Sequence, residues 1–203
     1  MYITLQKVKK IIPLDAVLVP DSATKVFQGV IYDVYQWPQT LFDGSEATFE
    51  MLKRPDTVSA ICVVDDKLLV LKEEQPHSGE RLSFPGGRVD STDKSPLAAI
   101  KRELHEETGY SFKKWRLVNV KQMHTKIEWF IHLFLAWDVD SKSNPHIDGG
   151  EKIEVTFMSF DEVKKLSQES NRYIDESQDV FKLLTKLDDL LTFAPFQGQE
   201  VDR

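Results

Sequence analysis

Glu103, Glu106 and Glu107 fall within five residues of the segment "FPGGRVDSTDKSPLAAIKRELHEETGY", residues 84–110. Ser95 is a good N-cap, Pro96 suits a first helical turn and Gly109 suits a C-cap, so the spacing predicts a helix over 96–108. On that helix Leu97, Ile100 and Leu104 share a face that can pack on a sheet, while Glu103 and Glu107 stack one above the other. Like charges at that spacing cost a helix roughly 0.2–0.5 kcal/mol per pair. The C-terminal end of the helix dipole disfavours anions as well. Taken alone, three glutamates in this pattern read most simply as a solvated acidic face. A divalent cation reverses the balance. Mg²⁺ takes hard oxygen ligands at about 2.0–2.1 Å and keeps several waters and substrate phosphates; Mn²⁺ is the other candidate. The preceding Pro85-Gly86-Gly87 adds weight to this, because glycines let backbone groups approach an ion or a phosphate closely.

From Gly87 to Tyr110 the segment resembles the signature of the Nudix hydrolases, G-x5-E-x7-R-E-U-x-E-E-x-G-U, where U is aliphatic. Arg102, Glu103, Leu104, Glu106, Glu107 and Gly109 match its second half without a gap, and Tyr110 takes the last position. The first half departs. Counting forward from Gly87 places Asp93 where the first glutamate belongs, with one residue too many before Arg102; counting back from Arg102 places Lys94 there. The resemblance implies Glu103 and Glu107 as the main metal ligands, Glu106 as a further ligand or support, and the Gly86 carbonyl as part of the site. It implies that Arg102 pairs with a nearby carboxylate and holds the loop to the helix. It also implies cleavage of a nucleoside diphosphate linked to another group, with a general base to take a proton from water. The order of elements upstream is similar to the ADP-ribose pyrophosphatase branch. There a loop glutamate serves as base, and Glu151 in "HIDGGEKIEV" fits that place, with Asp148 as second choice. Two expected features differ: Pro-Gly-Gly stands for Pro-Ala-Gly, and "HTKIEWFIH" replaces a further Pro-Gly. Expected substrate contacts are Trp37, which could stack on a base, the strand residues Glu128 and Trp129, and Arg54, Arg81 and Arg88 for phosphates. Two other readings stay open: a nucleotide-binding module without hydrolysis, and an enzyme for GDP- or UDP-sugars or nucleoside triphosphates.

The elements that must position these groups are mostly strands. "TVSAICVV" and "KLLVLKEEQ" flank Asp65-Asp66 and predict a hairpin. "VFQGVIYDVYQ", "WRLVNVKQMHT", "IEWFIHLFLAWDV" and "IEVTFMSF" read as further strands, and "FDGS" as a turn. "DEVKKLS" starts a helix, and apolar residues at 181, 183, 184, 187, 190 and 191 have helical spacing. The expectation is an α+β fold, an α/β/α sandwich with a mixed sheet between helices. Residues 1–56 are expected to form an N-terminal antiparallel segment that makes a homodimer and part of the nucleoside pocket, and residues 57–203 the Nudix domain.

The chain has 203 residues, of which 41% are apolar, enough for a real core. A formal net charge of −7 argues against a nucleic-acid surface. The expected partner is a small nucleotide, with the metal supplying positive charge. The single cysteine, Cys62, sits in an apolar run and reads as a buried hydrophobe. Pro13 and Asp15 interrupt any secretory core, and no apolar run reaches membrane-spanning length, so a soluble, cytoplasmic protein is expected. The five histidines lack paired metal spacing, which argues against zinc.

Overall fold

The computed structural model describes residues 9–76, 78–146, 152–169 and 177–202. Its centre is β5 (Thr57–Val64), which is apolar and buried along most of its length, as a strand covered on both faces should be. β5 turns through Asp65 and Asp66, both at positive φ, into β6 (Lys67–Gln75), the expected hairpin. β10 (Ile127–Lys142) runs parallel to β5 along one edge and antiparallel to β9 (Tyr110–His124) along its other edge. The other edge of β5 forks. Its first residues pair with β8 (Gly86–Arg88), and its last residues pair with β6. β6 also pairs with β7 (Ser78–Ser83) and with β11 (Lys152–Met158).

Alternation along β5 sends side chains to two cores. Val58, Ala60 and Cys62 face α1 (Pro96–Thr108) and meet Ile100 and Leu104. Ile61 faces the opposite layer with Leu133, Phe160, Phe181 and Leu190, from β10, α2 (Phe160–Glu169), α3 (Gln178–Leu183) and α4 (Leu187–Thr192). A mixed sheet between helices is the expected α/β/α arrangement. Parallel pairing of β5 with β10 demands a crossover, and α1 lies within it.

An antiparallel arm, β2 (Thr24–Gln28), β3 (Asp33–Thr40) and β4 (Glu46–Lys53), extends the sheet. It joins the core where β4 pairs with Ile127 and Glu128 of β10. Not all of the first 56 residues belong to it. β1 (Lys9–Ile12) pairs with β12 (Gln199–Asp202), and Ile12 packs on Val120 and Phe130. Lys10 Nζ, largely buried, forms an ion pair with Asp56 at 2.5 Å, fixing this ribbon beside the start of β5.

The helical spacing expected from 181 to 191 is interrupted. Leu184 is extended, and the Asp189 carboxylate accepts from the backbone N–H groups of Thr185 and Lys186, starting a new helix. Among the described residues no helix is long and apolar enough to cross a membrane.

Candidate active site

The site is built at the fork in β5, where α1 presents its C-terminal half to β8. Ser95 Oγ accepts from the Ala98 N–H at 3.1 Å, and Gly109, at φ 73°, donates back to the His105 carbonyl. Helix phase then turns Glu103 and Glu107 towards the two glycines. Buried Glu107 accepts from the Gly86 N–H at 2.9 Å. The Glu103 carboxyl group lies over Gly87: a Cβ there would sit 2.5 Å from its Cδ and Oε1. A Cβ on Gly86 would sit 2.1 Å from the Val58 carbonyl oxygen, so only glycine lets β8 lie this close to β5. Burial pushes the Glu103 carboxyl pKa up, against the opposing pull of Arg102.

Arg102 joins loop to helix. Its Nε and Nη2 donate to the two oxygens of Asp93, at 3.2 and 2.9 Å, while Nη1 reaches Glu106 and Glu103, each at 3.0 Å. Nη2 also donates to the Arg88 carbonyl. Asp93 is buried, accepts from the Asp90 N–H and donates its own N–H to the Asp90 carbonyl. The hydrogen bonds from Arg102 hold its carboxyl below the usual range. Of the two residues that fit the first signature acid by counting, Asp93 faces Arg102 and Lys94 is exposed.

These groups border a cavity of about 360 Å³. Glu103, Glu106 and Glu107 line one side, Gly86 and Gly87 its floor, and Arg54, Arg88 and Arg102 supply positive charge. Ile31, Pro55 and Asp90 complete it. Asp90 could have been suspected from its place between Arg88 and Asp93. Ile31 carries no such signal, because the β2–β3 turn delivers it from far away. A second cavity of about 350 Å³, beside the N-terminal end of α1, is walled largely by Leu97, Trp115, Leu117 and Phe134 and holds none of the helix's glutamates.

Among the described residues no three carboxylate, imidazole or thiol groups converge on one point. Glu103 and Glu106 each pair with Arg102, and Glu107 accepts from a backbone N–H. The donor set nevertheless suits a magnesium-like ion, which needs only one or two carboxylates when water and phosphate oxygens complete its shell. The missing side chain at Gly87 is what lets the Glu103 carboxyl group lie against β8, since a Cβ there would collide with it.

Three expected substrate contacts lie elsewhere. Arg81 pairs with Glu73 across β6 and β7, because a buried carboxylate there needs a cation. Glu128 is 1% exposed; it accepts from the Val19 N–H at 2.8 Å and pairs with Lys53 at 2.7 Å, so it joins strands and does not face the cavity. Trp37 packs on Phe49 within the arm and does not line the cavity of its own chain. Glu151 and Asp148 lie outside the described residues.

Residues 53–177 match the NUDIX domain family. The ADP-ribose pyrophosphatase of Bacillus subtilis (strain 168) is 26% identical over 155 residues, covering 73% of this chain and 82% of that protein. A crystal structure of an ADP compounds hydrolase superposes with a TM-score of 0.59 at 19% identity, covering 77% of this chain and 85% of that one, and shows the same fold. With the match spanning more than half of its length and the acidic helix set against a glycine floor, the chain belongs to the NUDIX domain family and is a Nudix hydrolase.

Proposed function

We propose that the chain hydrolyses, with Mg²⁺, the diphosphate bond of a nucleoside diphosphate sugar of the ADP-ribose kind, giving a nucleoside monophosphate and a sugar phosphate. The observation that carries this reading is one cavity lined by three glutamates and three arginines. A site for a polyanion bound together with a cation needs both signs of charge at close range. The relative named an ADP-ribose pyrophosphatase, similar over most of both chains, supports the choice of substrate class.

In this reading Arg54 and Arg88 contact phosphate oxygens through their planar forks. Glu103, Glu107 and the Gly86 carbonyl would hold the metal, with Glu106 in support. When bound, the ion neutralises the diphosphate and lowers the pKa of water. Arg102 holds the Asp90–Asp93 loop against α1 and so keeps the carboxylates in place. Glu151, or Asp148 as the second candidate, takes the proton as water attacks phosphorus and the bridging P–O bond breaks. The arm, β2 to β4, is assigned to a homodimer interface and to part of the nucleoside pocket, with Trp37 stacking on a base.

Pure protein incubated with Mg²⁺ and a panel of ADP-, GDP- and UDP-sugars and nucleoside triphosphates tests this, with product phosphate released by a coupled phosphatase. Preferred turnover of ADP-sugars is expected. Preference for another member would change the substrate and keep the reaction. No turnover of any member would leave a nucleotide-binding module.

A further inference from the structure

Arg54 leaves β4 at the edge of the cavity and meets two aromatic rings from different parts of the fold. Its guanidinium carbon lies 4.4 Å from a Trp129 ring centroid and 5.4 Å from that of Tyr32. Trp129 belongs to core strand β10, and its indole N–H donates to Thr57 Oγ1 at 3.0 Å, which fixes the ring. Tyr32 belongs to the arm. Its carbonyl accepts from the Gly29 N–H at 3.0 Å, closing the turn before β3, and its hydroxyl lies 3.5 Å from Arg54 Nη1.

The contrast with the neighbouring cations is informative. Arg88 pairs with Asp90, and Arg102 contacts four carboxylates. Among the described residues no carboxylate forms an ion pair with Arg54, and its buried Nε has no hydrogen-bond partner. A carboxylate would fix a guanidinium and neutralise it together. Ring faces fix it and leave its charge available. Such a group suits an anion that arrives from solution.

We infer that Trp129 and Tyr32 are positioning residues, which hold Arg54 between their rings as an unneutralised cation aimed at a phosphate oxygen of the substrate. This rests on the diphosphate reading above and adds to it. One ring comes from the arm and the other from the core, so a correctly placed arm becomes a condition for tight phosphate binding. Neither aromatic residue needs to touch substrate. Their contribution is a guanidinium already in its bound rotamer, which lowers the ordering cost of binding.

Inorganic pyrophosphate with Mg²⁺ is the probe, and its dissociation constant is read by calorimetry on the full chain. Trp129→Leu should weaken it about tenfold, in keeping with a partly desolvated cation–π contact. Trp129→Phe, which keeps a ring, should stay within about threefold. Arg54→Met should weaken binding at least as much as Trp129→Leu. In the Arg54→Met background Trp129→Leu should then have no further effect, because the two act as one unit. Tyr32→Leu should behave like Trp129→Leu. Equal losses for Leu and Phe at position 129, or an undiminished effect of Trp129→Leu without Arg54, would make the tryptophan merely structural and overturn the inference. So would a wild-type chain that fails to bind pyrophosphate. If the expected pattern appears and no nucleotide is hydrolysed, the clamp stands and the proposed reaction alone fails.

Discussion

Arg102 stands within ion-pair distance of Asp90, Asp93, Glu103 and Glu106, and among the described residues no other basic side chain contacts that group as widely. Its contact with Asp93 uses two donors on two oxygens, a geometry open to a guanidinium and closed to an ammonium. Asp93→Asn should therefore lower stability at neutral pH by about 1.5–3 kcal/mol, the range for a hydrogen bond to a charged group. The pH dependence follows from the direction of the shift. The folded-state pKa of Asp93 is lowered from 3.8, so its contribution is complete above that unfolded value and is lost as pH falls through the lower folded one. Thermal melts should show wild type and Asp93→Asn far apart at neutral pH and converging in that acid range. A constant gap down through that range would deny the pairing its role. Glu107 makes a different case. Its Oε2 accepts a hydrogen bond from Gly86, and a glutamine oxygen can accept the same one. Glu107→Gln should leave the melting temperature in chelator level or slightly higher, while kcat falls by two orders of magnitude or more, roughly the loss on removing a charge-stabilising group. Loss of chelator-state stability with kcat intact would make the glutamate structural.

β8 supplies the contrast at the scale of an element, because its two glycines are confined by different neighbours. A methyl group on Gly86 meets first the Val58 carbonyl, part of the sheet, whereas one on Gly87 meets first the end of the Glu103 side chain. Gly86→Ala should therefore cost about 1–3 kcal/mol, since backbone must move. Gly87→Ala should melt near wild type, because Glu103 can swing aside, and should lose at least tenfold in kcat/KM and in metal affinity. Denaturant curves beside kinetics separate the two. The elements also show why some of the site was readable and some was not. α1 announced itself through Ser95, Pro96 and Gly109, all local signals, and its ends in the fold are those expected. The break between α3 and α4 was hidden, because apolar spacing continues across Leu184 while the Asp189 carboxylate caps a new start. β1 was hidden for another reason: its partner β12 lies at the far end of the chain, and four residues carry little periodicity. Glu128, a strand residue first and a pocket residue second, and Arg81, a cation for phosphates, do not line this cavity. Their partners Val19, Lys53 and Glu73 come together only in the folded sheet.

For the whole molecule the arm poses the main physical question. β4 meets β10 through two residue pairs, and the arm carries Val26, Phe27, Val30 and Phe42 with half or more of their surface exposed. Apolar side chains exposed along a thin three-stranded extension favour cover by another surface. A second copy of the chain would bury them by two-fold symmetry, each arm on its partner. Wild type should thus sediment as a dimer at micromolar concentration. Phe27→Asp, on the outermost strand β2, should sediment as a monomer, since an unpaired charge would enter the apolar contact. The same variant should raise KM for the nucleotide more than it lowers kcat. The arm carries Tyr32 and Ile31 to the cavity edge, whereas α1 and β8 hold the carboxylates from within the core. A monomeric wild type would remove the arm's assembly role. A monomeric Phe27→Asp with unchanged KM would show that the arm dimerises the chain without shaping the site. A dimeric variant with raised KM would place Phe27 near the substrate instead of at the interface.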